Sequence, residues 1–141
     1  MGKGFTLVEV ALSLSILALI IVLASTTFLN LVPKYELEKA VWEVRSALNA
    51  ARYNALFEGT SFRFKLYPNS YSLEKYEAGS KGWTLVEKHL LEAVSIESNN
   101  VPVFTPEGTV TGLATIYIAN TWGRYKITLA ITGRIKAVKV I

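Results

Sequence analysis

The chain has no cysteine and no aspartate, and it holds one histidine and one methionine among 141 residues. Without cysteine there is no disulfide framework, no thiol nucleophile and no thiolate metal site. Without aspartate, many catalytic triads and Mg²⁺-carboxylate sites fall away. The one histidine, His89, sits beside Glu87 and Lys88. With no second histidine and no cysteine it completes no zinc site, and a lone histidine of this kind reads as structural or exposed. Gly79-Ser80-Lys81-Gly82 reads as a turn, not a phosphate loop. No catalytic residue, metal site or cofactor is expected, and an enzyme is not. Internal repeats and low-complexity stretches are absent too.

Charge is missing from one long stretch. Val10 to Val32 carries none, and its polar residues are Ser13, Ser15, Ser25, Thr26, Thr27 and Asn30. As a helix these residues reach ~34 Å, enough for a ~30 Å hydrocarbon core. Fourteen of the 23 are Leu, Ile, Val or Phe. Each contributes roughly −0.3 to −0.6 kcal/mol to insertion, against about +2.5 to +3.5 for one acid at the helix centre. Insertion therefore wins even with Glu9, which lies near the end of the run. A cleaved secretory signal fits less well. The run is too long for its apolar region, Lys3 is the only basic residue before it, and Ala24-Ser25-Thr26 leads on into Phe28 and Leu29. An ionisable group at membrane depth is a functional hypothesis by default.

Gly4-Phe5-Thr6-Leu7-Val8-Glu9 ahead of this run resembles the processing site of type IV prepilins and pseudopilins. The resemblance implies that a prepilin peptidase cuts between Gly4 and Phe5 and that Phe5 is then N-methylated. It makes residues 1–4 a leader, 5–33 a transmembrane and assembly helix, and 34–141 a pilin-like globular domain. Glu9 becomes the assembly residue. Its partner is the Phe5 ammonium that cleavage creates, its own or that of an adjacent subunit in a growing filament. The uncleaved chain cannot offer that amine, so processing switches assembly on. Charge flanking the span favours the opposite orientation, because Lys34, Lys39, Arg45 and Arg52 follow it and only Lys3 precedes it. The resemblance instead places the C-terminal domain outside the cytoplasm, anchored in the inner membrane.

Leu37, Val41, Val44, Leu48, Ala51 and Ala55 step by three and four, which predicts an amphipathic helix over 35–57 with Gly59 as its C-cap. Pro33 removes one backbone donor and is a place for a kink or brief interruption, but the N-terminal half reads as one long helix. From Thr60 the period changes to two. Strands are predicted over 61–66, 71–76, 83–90, 93–97, 103–104, 113–119, 124–132 and 134–141. Asn120 to Gly123 and Thr132-Gly133 are hairpin turns. The fold class is α+β, a long N-terminal helix packed on antiparallel sheets.

Ala51-Arg52-Tyr53-Asn54-Ala55, then Phe104-Thr105-Pro106-Glu107-Gly108, then Gly133-Arg134-Ile135-Lys136 are similar in kind and order to segments of the GspH/FimT minor pseudopilins. Thr26 stands where many pilins carry a helix-loosening proline. The resemblance implies a minor pilin or pseudopilin of a type IV pilus or a type II secretion pseudopilus. Its partners would be the peptidase, other subunits, the inner membrane and secreted substrates.

Charge gives a second reading. Residues 34–107 hold nine Lys or Arg and ten Glu, whereas 108–141 hold Arg124, Lys126, Arg134, Lys136 and Lys139 with no acid. If Tyr125, Ile127, Leu129 and Ile131 face the core, Arg124 and Lys126 share the opposite face. Together the five cations form an expected patch, with Trp122 and Tyr125 nearby, suited to phosphate backbones and stacked bases. In the FimT-like branch a Gly-Arg-x-Arg motif contributes to DNA capture in natural transformation. Here the last residue is Lys136, which keeps the charge and loses the bidentate fork. The other reading is a solvated sheet face whose lysines deter edge pairing.

Overall fold

The computed structural model describes Gly4 and Thr6–Val140, less the side chains of Ser25, Thr26, Thr27, Leu29 and Asn30. It divides into two units, Met1–Val32 and Pro33–Ile141. One helix, α1 (Leu7–Glu58), runs through both, with Pro33 inside it. The helix is one long element, as the sequence reads, and Pro33 does not interrupt it. Proline withdraws a single amide hydrogen, and in the second unit its carbonyl accepts a hydrogen bond from Asn120 Nδ2 at 2.6 Å. The helix stops where Gly59 takes φ +62°, the left-handed conformation of a C-cap.

In the first unit, Leu7–Ala24 has a mean hydropathy of 2.7 and is long and apolar enough to cross a membrane. None of its residues is buried within the chain. The Ser13 and Ser15 hydroxyls donate to the carbonyls of Glu9 and Ala11, both at 2.8 Å. Each polar group is thus satisfied four residues back, as an apolar solvent requires.

In the second unit, Leu37, Ala40, Val41, Val44, Leu48, Ala51 and Ala55 form the buried stripe of α1. Among the described residues, nine strands make two antiparallel sheets. The first sheet contains β1 (Phe62–Tyr67), β2 (Ser70–Glu77), β3 (Gly82–Leu90), β5 (Val103–Phe104) and β6 (Val110–Thr111), in the order β3-β2-β1-β5-β6. The second contains β4 (Ser95–Ser98), β7 (Thr115–Asn120), β8 (Gly123–Leu129) and β9 (Ile135–Val140), in the order β4-β7-β8-β9. Phe62, Phe64, Leu73 and Phe104 from the first sheet and Ile96, Ile116, Ile118, Ile127 and Leu129 from the second join the helix stripe in one core. The fold is α+β, as the change of period predicts.

Two expectations are corrected. Strand β8 ends at Leu129, so Ile131 is not a core residue and is 63% exposed. It lies in a turn in which the Ala130 amide donates to Arg134 O and the Gly133 amide to Ala130 O, both at 2.9 Å. The short β6 has no counterpart in the sequence reading, since two residues show no period.

Candidate functional site

The sequence nominates two sites, one at the start of α1 and one on the second sheet. At the first, Gly4 is exposed, and Phe5 lies outside the described residues. Thr6 is the residue before the helix. Its hydroxyl accepts the Glu9 amide at 3.2 Å, and its own amide donates back to Glu9 Oε2 at 3.5 Å. This reciprocal pair is a capping box, Thr-x-x-Glu, and it satisfies two of the donors that a helix start leaves open. It gives Glu9 a local role that the sequence reading missed, although the spacing of Thr6 and Glu9 was its signal. The carboxylate is exposed in the single chain and free to meet a further cation.

The second site divides. Cross-strand register sets Arg124 opposite Ala119 and Val140, Lys126 opposite Tyr117 and Val138, and Thr128 opposite Thr115 and Lys136. Arg124, Lys126 and Lys136 therefore share the outer face of the second sheet, and the exposed Arg134 continues its parity. Lys139 does not join them. It is paired with Tyr125 on the opposite face, where its Nζ lies 3.6 Å from the centroid of the Trp122 ring. Lys34 approaches the same ring at 5.7 Å. Trp122 and Tyr125 pack against the core, so they are not the aromatics of the cationic face.

That place belongs to Tyr117, whose ring has the Arg124 guanidinium at 4.1 Å and Lys126 Nζ at 6.0 Å. Tyr117 was within reach of the sequence: a hairpin closed by Asn120 and Gly123 places 117 opposite 126. One acid shares the face. Glu97, on β4 beside Tyr117, pairs with Arg124 at 3.0 Å. Both partners are well exposed, so the pair is worth at most about 1 kcal/mol. Lys126, Arg134 and Lys136 are the cations of this face for which no carboxylate lies within ion-pair distance among the described residues.

The three segments that carry the later part of the resemblance meet in space. Arg52 Nε donates to Gly108 O at 3.3 Å. The Arg52 side chain also lies against Gly133, where an added Cβ would fall 2.4 Å from Nε. Gly108 takes φ +76° with its α-carbon facing Leu56, and Gly133 takes φ +78°. Arg52 thus ties helix, turn and hairpin together, which gives both glycines a structural reason.

His89 is held between two carboxylates. Its ring stacks on Tyr71 at 5.3 Å, its Nδ1 lies 3.9 Å from Glu43, and its Nε2 contacts Glu87. Tyr71 donates to Glu43 at 3.3 Å. Burial and then the Glu43 carboxylate push the Tyr71 phenol well above its ordinary value of 10.0. The cluster joins α1 to β2 and β3. Among the described residues, no group of three or more acidic or histidine side chains is arranged to hold a metal ion.

No protein-family model matches the sequence, and no curated protein matches it. The solved structures give the likeness. The chain is similar to the minor pseudopilin EpsH from the type 2 secretion system of Vibrio cholerae, with TM-score 0.63 and 14% identity over 74% of this chain and 97% of that one. A second EpsH structure gives TM-score 0.64 and 14% identity over 74% and 94% of the two chains. The type IV minor pilin FimU of Pseudomonas aeruginosa gives TM-score 0.60 and 21% identity over 73% and 88%. At these identities the likeness is one of fold, which the chain shares with these minor pseudopilin and minor pilin structures.

Proposed function

We propose that this chain is a minor pilin or pseudopilin subunit, anchored in the inner membrane and incorporated into a type IV pilus or type II secretion pseudopilus after its leader is removed. The observation that carries the reading is the pairing of a pilin-fold domain with an unburied apolar helix that opens on Gly4-Phe5-Thr6-Leu7-Val8-Glu9. Cleavage after Gly4 frees the Phe5 amine, which is then methylated. Glu9 meets that ammonium in an apolar setting where an unpaired carboxylate is costly, and a neighbouring subunit supplies or shares it. The domain lies outside the cytoplasm, and its partners are the prepilin peptidase and other subunits, with secreted substrates added in the secretion case.

The capping box sharpens the test. Glu9→Gln keeps a side chain that can accept the Thr6 amide and removes the charge, whereas Glu9→Ala removes both. Both variants should be processed yet fail to enter filaments in the native host. Normal incorporation of Glu9→Gln would reduce Glu9 to a helix cap.

The cationic face favours a second reading, capture of DNA by the same subunit. Its support is one exposed sheet face on which Arg124 and Lys126 lie against Tyr117, Lys136 follows in the next cross-strand row, and Arg134 continues the parity of Lys136. Full-length protein in detergent should shift duplex DNA with an affinity that falls steeply with salt. The double variant Arg134→Ala, Lys136→Ala should lose most of that binding and lower the salt slope by about two. Absence of binding at low salt would remove this reading and leave the subunit role intact.

A further inference from the structure

The outer face of the first sheet holds an arrangement that neither reading uses. Register places Lys65, Ser72 and Lys88 side by side in one cross-strand row over β1, β2 and β3. They point away from the face that carries Phe64, Tyr71 and Leu73. Ser72 is only 2% exposed, and its hydroxyl has no hydrogen-bond partner among the described residues. A buried hydroxyl left unpaired costs about 1–3 kcal/mol, so it calls for an explanation.

The groups on either side are cations held by weak contacts. Lys65 Nζ reaches Glu74 at 3.7 Å, and Lys88 Nζ lies 5.7 Å from the centroid of the Tyr67 ring. Glu74, the acid of the adjacent row, is taken chiefly by Arg63, whose guanidinium also lies 4.4 Å from the centroid of the Trp83 ring. The row therefore offers two ammonium groups and an idle hydroxyl, with the Tyr67 ring beside it in the next cross-strand row. This donor set matches an oxyanion with several acceptor oxygens, each taking its own hydrogen bond.

We propose that Lys65, Ser72 and Lys88 form a phosphate-binding subsite on the outer face of the first sheet. The hydroxyl is screened from solvent, so entry requires a side chain to turn. Lys88 is the one placed to do so, being exposed on the edge strand β3. On binding, the ammonium groups leave Glu74 and the Tyr67 ring for the phosphate oxygens, and Ser72 donates to a third. The phosphate could come from a nucleic-acid strand, with Tyr67 as a stacking surface, or from free phosphate.

The test is backbone amide NMR of the full-length protein in neutral detergent, titrated with inorganic phosphate against sodium chloride of equal ionic strength. Phosphate should move the amides of Ser72 and its β1 and β3 neighbours saturably, and chloride should not. Ser72→Ala should weaken the response about tenfold, and Lys88→Gln, an exposed substitution that leaves the core untouched, should also weaken it. An oligothymidylate that displaces phosphate at lower concentration assigns the source to nucleic acid. Failure to displace, with phosphate still bound, assigns it to free phosphate. Equal responses to phosphate and chloride, or undiminished binding by both variants, would overturn the proposal. The Arg134 and Lys136 positions lie on the other sheet, so loss of the DNA reading leaves this result unaffected.

Discussion

Gly133 is fixed in its identity for two separate reasons. Its φ of +78° lies in the left-handed region, and Arg52 occupies the space where a Cβ would go. A Gly133→Ala change adds about 1–2 kcal/mol of backbone strain and drives Arg52 off the Gly108 carbonyl, a further loss of about 1 kcal/mol. Urea unfolding of the full-length protein in detergent should show a loss of roughly 2–3 kcal/mol. A change below about 0.5 kcal/mol, the range of ordinary surface substitutions, would mean that Arg52 moves aside freely and is no tie. None of this could be read along the chain. Arg52 and Gly108 are 56 positions apart, and a glycine in a turn looks the same whether or not an arginine packs on it. Glu9 is the reverse case. Its capping partner Thr6 stands three residues away, and the pairing is a local sequence rule.

At the scale of elements, period was the reliable guide. The step of three and four from Leu37 to Ala55 names the same face that is buried against the sheets. The alternation of Phe62, Phe64 and Leu66 likewise names a strand with one face inward. Boundaries were less legible, because turns consume residues that still look periodic. Ile131 continues the pattern of Ile127 and Leu129, yet the turn from Ala130 to Arg134 takes it into solvent. Lys139 differs in parity from Arg134 and Lys136, yet the charge count gathers all five cations into one patch, and only the register separates it. Tyr117 enters the cationic face through the pairing of β7 with β8, a register that the turn from Asn120 to Gly123 already sets. The first-sheet row of Lys65, Ser72 and Lys88 was hidden. Its register includes an irregularity between Leu73 and Glu74 that no periodic count anticipates.

For the whole molecule, charge and apolar surface separate along the chain. The first unit exposes an apolar helix over Leu7–Ala24, charged only at Glu9 and buried by none of the described residues, and such a surface needs lipid or other helices around it. The second unit buries its own core and shows cations on the outer faces of both sheets. The subunit role proposed above needs this division, since a chain that enters a filament from a bilayer exchanges lipid for neighbouring helices. In the proposed role, proteolysis creates the cation for which Glu9 is placed. The most direct measurement is the mass and N-terminal residue of the protein extracted from membranes of its native host. A processed subunit should begin at Phe5 and carry one added methyl group on its amine. A chain that begins at Met1, with no trimmed form present, would contradict that role.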